Sequence, residues 1–149
     1  MDNDFTNNIN KLIESKREGH WDFKETHHEN KASLLHDILC LSNALYKGNK
    51  YLIFGVTDPP GCEIKGVNND ANRKTQANFI DFLRSKSFAG DIRPEIELRT
   101  IPIDKVEIDV FVIFDRPQKP YYLRDDCRDK DKIVRANSIY TRVLDTNTL

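Results

Sequence analysis

A run of six apolar residues, 51–56 (Tyr-Leu-Ile-Phe-Gly-Val), constrains the fold of this chain more than any other segment. Successive side chains of a strand point to opposite sides of its sheet, so a strand that is apolar throughout must be covered on both faces. The chain must therefore place other structure above and below this strand. Its 149 residues suffice for one domain with its own core.

Helical spacing of apolar residues predicts the covering layers. An amphipathic helix is predicted around residues 5–13, and a second helix over residues 31–46 with Asn30 as its cap. A third helix is predicted after residue 72, where either Asp70 or Asn72 can act as the cap.

Further strands are predicted where apolar and polar residues alternate or where apolar runs follow turn residues. They cover residues 20–24, 62–67 as a hairpin partner of 51–56, 95–103, 106–114, and two short strands within 132–143. Residues 125–132 alternate in charge and are predicted to be a solvated loop. This order is not a regular β-α-β repeat. We therefore predict an α+β single domain with a mixed, mostly antiparallel sheet packed with about three helices.

Charge and composition exclude several classes of function. The formal net charge is −1, which argues against a protein that coats duplex DNA by electrostatics alone but leaves room for a local basic groove. The acidic start of the chain lacks the features of a signal peptide, and no apolar run is long enough to cross a bilayer, so a cytoplasmic protein without membrane contact is predicted. Cys40, Cys62 and Cys127 lack zinc-site spacing, which predicts free thiols.

Two predicted strands carry the residues most suited to chemistry. Alternation in the first of them places Trp21 and Phe23 on one face and Asp22 and Lys24 on the other. Asp58 follows the apolar strand, so the carboxylates of Asp22 and Asp58 converge if the two strands are neighbours. Converging carboxylates bind Mg²⁺, which can activate water for phosphodiester cleavage, while a lysine pairs with the phosphate. The alternative interpretation is a solvated strand face and an ordinary turn residue.

The order of these motifs resembles the Schlafen-family AlbA-like domain. That family shows an acid, a short gap and Glu-Phe-Lys, then a helix containing Ala and Asn, then an apolar strand that ends Gly-Val-x-Asp. The corresponding stretches here are Glu18 with Asp22-Phe23-Lys24, Leu41-Ser42-Asn43-Ala44, and residues 51–58. Residues 88–94 and 139–148 are similar to bacterial members, and the likeness covers roughly residues 12–148.

The resemblance implies a nucleic-acid-binding domain of a bacterial-type defence or regulatory protein, with RNA or DNA as its partner. Some Schlafen members cut RNA with three carboxylates, which implies a catalytic set of Glu18, Asp22, Lys24 and Asp58, with the three acids holding Mg²⁺ or Mn²⁺. Asp22 stands where the family has Glu, so binding is better supported than cleavage. The remaining alternative is a catalytically idle dimerisation or assembly domain.

The resemblance also bears on the domain's surroundings. It implies a homodimer, and a domain over residues 1–149 that can be the N-terminal part of a longer protein. No nucleotide cofactor is expected, because the chain lacks a glycine-rich phosphate-binding loop.

Nucleic-acid contacts are predicted at Lys24 and in the C-terminal third of the chain. Basic residues and tyrosines concentrate between residues 115 and 142, where cations can meet phosphates and aromatic rings can stack on bases. The strongest candidates there are Arg135, Tyr140 and Arg142, since they fall on or beside predicted strands.

Overall fold

The computed structural model describes the backbone of residues 2–149 and the side chains of residues 3–149. The helices are α1 (Asp2–Glu14), α2 (Lys31–Ser42) and α3 (Gln76–Arg84), with a short 3₁₀ turn at Ala89–Asp91. The strands of the main sheet are β1 (Trp21–Lys24), β2 (Lys50–Phe54), β3 (Ile96–Ile103) and β4 (Val106–Ile113). Short strands follow at β5 (Cys127–Asp129), β6 (Lys132–Val134), β7 (Thr141–Val143) and β8 (Thr146–Thr148).

The main sheet has the order β1-β2-β4-β3, so β1 and β3 form its edges. Strands β1 and β2 are parallel, and the other pairs are antiparallel. The sheet is therefore mixed and mostly antiparallel, and with three helices packed on it the predicted α+β class is confirmed.

The apolar strand β2 is buried along its whole length, as its sequence requires. Tyr51 and Ile53 pack in one core layer with Ile9 and Ile13 of α1. The alternate residues Leu52 and Phe54 belong to the opposite layer, which also contains the buried faces of α2 and α3. The sheet thus lies between α1 on one side and α2 with α3 on the other.

Two predicted helix details differ from the structure. Asn30 caps α2 as expected, because its side chain accepts the N–H of Ser33, but the helix ends at Ser42 rather than at residue 46. The cap of α3 is Thr75, and the prediction of Asp70 or Asn72 is wrong. Thr75 accepts the N–H of Asn78 while the Asn78 side chain accepts the N–H of Thr75, and this reciprocal pair fixes the first turn.

The segment after β2 does not return as the predicted strand over residues 62–67. It makes one bridge, between Val56 and Ile64, and its next two N–H groups both bind the carbonyl of Gly55. Gly55 has φ +104°, a conformation that a side chain opposes, and this lets the chain leave the sheet sharply. The predicted hairpin fails because the backbone turns away before a ladder can form.

The C-terminal third contains more pairing than was predicted. Residues 127–129 form β5, which pairs with β6, so residues 125–132 are not the predicted loop, although most of them are exposed as predicted. The cause is local: Asp129 accepts hydrogen bonds from Asn30 and from the N–H of Lys31, which pins β5 to the start of α2. The second hairpin, β7 with β8, packs beside the same helix.

Two remaining sequence predictions concern the cysteines and the membrane. All three cysteines are free, as predicted, and all three are buried. Within the described part of the chain, no helix combines the length and the apolar character that a membrane span requires.

Candidate functional site

The parallel pairing of β1 and β2 brings the predicted acids to one edge of the sheet. Asp22 lies opposite Leu52 and Lys24 opposite Phe54, so both charged side chains face the layer of α2. The carbonyl of Lys24 accepts the N–H of Gly55 at 2.7 Å, which draws the start of the following loop against the end of β1. That loop carries Asp58, and the expected neighbourhood of the two strand ends is thereby formed.

Glu18 is held at the outer edge of β1 rather than in free solvent. Its Oε2 accepts the N–H of Phe23 at 2.9 Å, an edge group that no strand satisfies. Its Oε1 lies 3.8 Å from a guanidinium nitrogen of Arg142, whose other terminal nitrogen is 3.8 Å from Asp22 Oδ2. Glu18 and Asp22 therefore share one cation.

Lys24 lies between two carboxylates. Its Nζ is 3.6 Å from Asp22 Oδ2 and 3.3 Å from Oδ2 of Asp37, a buried acid in α2. Asp37 also accepts hydrogen bonds from His28 Nε2 at 2.6 Å and from Asn147 Nδ2 at 3.1 Å. Asp22 is only 6% exposed, so the interpretation of β1 as a solvated strand face is wrong.

These contacts close into a polar ring. Asn147 accepts a hydrogen bond from Arg142 Nη1 at 2.7 Å, and the same nitrogen reaches Asp22. The ring therefore runs from Asp22 through Lys24, Asp37, Asn147 and Arg142 back to Asp22. It joins β1, α2 and the β7–β8 hairpin, so the position of each charge depends on all three elements.

The pKa values of Glu18, Lys24 and Asp37 follow from this arrangement. Burial raises the pKa of Glu18 to about 8, and its hydrogen bond with Asp22 acts in the same direction. Burial acts to lower the pKa of Lys24, but the charges of Asp37 and Asp22 outweigh it and raise that pKa. Burial likewise opposes the ionised form of Asp37, yet the hydrogen bond from His28 and the nearby ring of His36, 3.8 Å away, hold its pKa well below the usual range. At neutral pH, Glu18 is mostly protonated while Asp37 is ionised.

An open cavity of about 550 Å³ lies over these residues. Its lining contains cations and acids in similar number: Lys16, Arg17, Glu18, Asp22, Lys24, Asp58 and Asp145, with Pro59 and Pro60. Lys16 and Arg17 are exposed at its rim, and Lys24 is half-buried at its base. All four residues expected from the sequence to be catalytic therefore line one cavity.

The same acids do not form a metal centre in this structure. Carboxylate oxygens are the right donors for Mg²⁺ or Mn²⁺. Among residues 3–149, however, no three His, Cys, Asp or Glu side chains lie close enough together to hold a metal ion. Moreover, Lys24 and Arg142 both approach Oδ2 of Asp22, so one oxygen of this carboxylate already has two cationic neighbours. The arrangement does not fit a three-carboxylate site, and no metal-dependent step is derived from it.

The C-terminal residues predicted to contact nucleic acid lie in different environments. Arg135 is exposed. Tyr140 is buried, and its hydroxyl accepts the N–H of Arg135 at 2.9 Å. Arg142 is 5% exposed and is held by the polar ring and by the carbonyl of Gly19 at 2.7 Å. Lys24 is the one predicted contact that lines the cavity.

Several residues that the site depends on were not predicted from the sequence. Asp37 had a signal: it falls three residues after Leu34 and four before Leu41, on the apolar stripe of α2, where a carboxylate must find partners. Lys16 and Arg17 had a weaker signal, since they directly precede Glu18. No sequence pattern indicated Asn147, because its role depends on how the β7–β8 hairpin packs.

A family model described as Schlafen, AlbA_2 matches residues 18–149 of this chain. The chain belongs to the Schlafen, AlbA_2 family. The match begins at Glu18 and contains Asp22, Lys24 and Asp58, so the acids and the lysine of the cavity lie within this Schlafen domain. No curated protein and no solved structure matches the chain.

Proposed function

We propose that this Schlafen domain binds nucleic acid at the cavity lined by Lys16, Arg17 and Lys24. Family membership supports a function connected with nucleic acid. The observation that carries the proposal is the grouping of three cations, beside four acids, around one open cavity in a chain whose net charge is −1. Local cations of this kind supply phosphate contacts that the total charge does not reveal.

The backbone at Lys16 supports the same proposal. Lys16 follows the end of α1 with φ +57°, a left-handed conformation that glycine adopts without strain and lysine does not. Its side chain approaches the carbonyl of Gly61 at 3.5 Å across the cavity rim. The position thus presents the Lys16 ammonium at the rim of the cavity in spite of the backbone strain, which agrees with a phosphate contact.

This conformation gives a discriminating experiment. Replacement of Lys16 by glycine removes the strain and the charge together, so Lys16→Gly is expected to raise the free energy of unfolding by about 1 kcal/mol and to weaken binding. Affinity for single-stranded RNA and DNA is measured by fluorescence anisotropy at several salt concentrations. Lys105→Gly, at an exposed position in the turn between β3 and β4, is the matched control for charge. Unchanged affinity of Lys16→Gly contradicts the proposal.

Cleavage of a phosphodiester is the second candidate, because Glu18, Asp22 and Asp58 line the same cavity as Lys24. It requires Asp58 and the Glu18–Asp22 pair to come closer together around Mg²⁺ or Mn²⁺ than they are in this structure. Labelled tRNA, single-stranded DNA and duplex DNA are incubated with Mn²⁺ or with chelator, beside an Asp22→Ala/Asp58→Ala variant. Metal-dependent cutting that the variant loses supports cleavage; cutting that survives in the variant excludes this site.

Self-association as a homodimer is the third candidate and has a separate surface. Leu45 and Leu144 are 89% and 85% exposed and line an apolar groove together with Tyr46 and Val143. Contiguous exposed apolar residues mark interaction surfaces. Analytical ultracentrifugation of the wild type and of Leu144→Asp tests this candidate: a dimer that the substitution dissociates supports it, and a monomeric wild type contradicts it.

A further inference from the structure

The apolar groove beside the β7–β8 hairpin has a volume of about 470 Å³. Its walls consist of residues 19–20, 44–46 and 141–144. This volume lies within the range seen for small-molecule sites. Among the described residues that line the groove, none is acidic, and the one arginine, Arg142, is buried and held by the polar ring. The groove therefore suits an uncharged group.

Two stacked aromatic rings form part of the wall of this groove. The ring centroids of His20 and Tyr46 are 3.9 Å apart, and the two planes are within 3° of parallel. Gly48 permits this position of Tyr46, because a Cβ atom at Gly48 would lie 2.9 Å from the Tyr46 ring. Burial and the charge of Lys50 lower the pKa of His20, which leaves its ring uncharged at neutral pH. Tyr46 is nevertheless 46% exposed, so a held aromatic ring at the groove is left largely uncovered.

The turn of the β7–β8 hairpin adds an exposed aliphatic side chain to the groove. Leu144 lies in this turn with φ +58°, a left-handed conformation that is unfavourable for a bulky residue. Because the side chain is almost fully exposed, core packing does not favour leucine here either. The turn thus presents an apolar side chain at the groove in spite of the backbone strain, and such strain is common where a protein contacts a ligand.

The groove adjoins the cavity proposed above for phosphate. Glu18 lines the cavity, and the next residue, Gly19, lines the groove. On the hairpin, Asp145 lines the cavity and Leu144 lines the groove. Between them, Arg142 lies 3.8 Å from Oε1 of Glu18 and donates to the carbonyl of Gly19 at 2.7 Å. A ligand that carries both phosphates and flat apolar groups can therefore reach the two sites together.

We propose that the apolar groove binds a base of a single-stranded nucleic acid, stacked on Tyr46. A phosphate of the same strand is then bound in the adjoining cavity. Every base has a π face, and a base is free to stack on a protein ring where it is unpaired. A base accounts for the position of the groove beside the cations, which a second copy of the chain does not. This inference rests on the proposed binding function and names its substrate class.

The test compares two labelled ten-nucleotide strands that carry the same phosphates. One strand has thymine at every position, and the other is abasic throughout. The pair is made as DNA and again as RNA with uracil, and affinities are measured by fluorescence anisotropy at low salt with EDTA present. The wild type is expected to bind the strand with bases about tenfold more tightly than the abasic strand, which is the effect of one stacked base.

Two variants and one control separate stacking from folding. Tyr46→Ala is expected to reduce the difference between the strands to within about twofold and to leave the affinity for the abasic strand unchanged. Leu144→Gly removes an apolar side chain and relieves the strained turn, so it is expected to reduce the difference without lowering the urea midpoint. Tyr122→Ala is the control, because this tyrosine is not among the residues that line the groove.

The outcomes are distinct for the two proposals. Equal affinity of the wild type for the two strands, or a difference that survives in Tyr46→Ala, overturns the base site and leaves the proposed binding function standing. Absence of binding to every strand at low salt overturns both. A wild-type dimer that Leu144→Gly dissociates in sedimentation assigns the groove to a second copy and overturns the base site. A monomer whose difference is lost in Tyr46→Ala, reduced in Leu144→Gly and kept in Tyr122→Ala supports it.

Discussion

The ammonium of Lys24 lies 3.3 Å from Asp37 and 3.6 Å from Asp22, between an acid of α2 and an acid of its own strand. This position keeps the lysine charged and close to the cavity, although most of its side chain is withdrawn from solvent. The candidate site is therefore built on a polar network inside the fold, and the network makes distinct predictions for stability and for binding.

Asp37→Asn is expected to lower the free energy of unfolding by about 3 kcal/mol. The substitution removes the negative charge beside Lys24, and it leaves one acceptor oxygen where two carboxylate oxygens now accept from His28 and Asn147. Urea denaturation measures the change. Asp81→Asn, an exposed position in α3, is the control and should stay within about 0.5 kcal/mol of the wild type. A similar small effect of Asp37→Asn would contradict the network described here.

Arg142→Ala is expected to lower the free energy of unfolding. It is not expected to remove a direct contact with a ligand. Its guanidinium is buried against Glu18, Asp22 and Asn147, and removal of one partner from a buried charged group costs about 3 kcal/mol or more. Arg135→Ala removes an exposed arginine of the same region and should leave the urea midpoint nearly unchanged. If Arg142→Ala unfolds at the wild-type midpoint and yet loses nucleic-acid affinity, the arginine acts directly on the ligand instead.

Asp109 makes the free energy of unfolding depend on pH in the acidic range. Burial opposes its charge, but hydrogen bonds from His27, Arg73 and Thr100 hold its pKa well below the usual range. Below the ordinary value near 3.8, the unfolded chain binds a proton that the folded chain does not, so this stabilisation is present above that pH and is lost as the pH falls. Stability measured from pH 6 to pH 3 should fall less steeply in Asp109→Asn than in the wild type, whereas Asp104→Asn should follow the wild type. Parallel curves for Asp109→Asn and the wild type would contradict this.

Lys50 makes the free energy of unfolding depend on pH in the alkaline range. Its side chain is 1% exposed, and burial together with the nearby Lys119 lowers its pKa to about 8, against partial compensation by Asp115. Between pH 8 and pH 10.5 the unfolded chain holds the extra proton, so the contribution of Lys50 to stability rises with pH. Lys50→Met should therefore be more stable than the wild type at pH 7, by up to about 3 kcal/mol.

The environment of Lys50 is tested by measuring how the stability gain of Lys50→Met over the wild type changes with pH. Denaturation at pH 7 and pH 10 should show the gain of Lys50→Met shrinking toward zero, since the other titrating groups are common to both proteins. Lys105→Met, at an exposed position, should show no such trend. A gain that is constant with pH, or a loss of stability at pH 7, would contradict the assigned environment of Lys50.

The sequence predicted the parts of the fold that depend on local pattern. The apolar run of β2 required layers on both faces, and the alternation of Trp21 and Phe23 with Asp22 and Lys24 sorted those side chains correctly between the faces. What it could not predict depends on distant contacts. The hydrogen bonds of Lys65 and Gly66 to Gly55 replace an expected hairpin, and no pattern within residues 62–67 indicates them.

For the candidate site, too, some features could be predicted from the sequence, and those that depend on distant contacts could not. The order of the motifs along the chain predicts that Glu18, Asp22, Lys24 and Asp58 lie together, and the four do line one cavity. The burial of Arg142 could not be predicted, because it follows from the packing of the β7–β8 hairpin against α2, more than a hundred residues away from Glu18 in the chain. Basic residues near the C-terminus look alike in sequence whether they face solvent or an internal carboxylate.

If Lys16, Arg17 and Lys24 form the phosphate-binding surface, removal of their charges must weaken binding more than removal of charges elsewhere. The affinity for a single-stranded oligonucleotide is determined across salt concentration for the wild type, for Lys16→Gly/Arg17→Ala/Lys24→Gln, and for Lys11→Ala/Lys47→Ala/Lys105→Ala, which removes the same number of positive charges elsewhere. The predicted result is that the cavity variant alone loses affinity and that its dependence on log salt becomes shallower by about two units. Equal loss in both variants, or none in either, would contradict the claim.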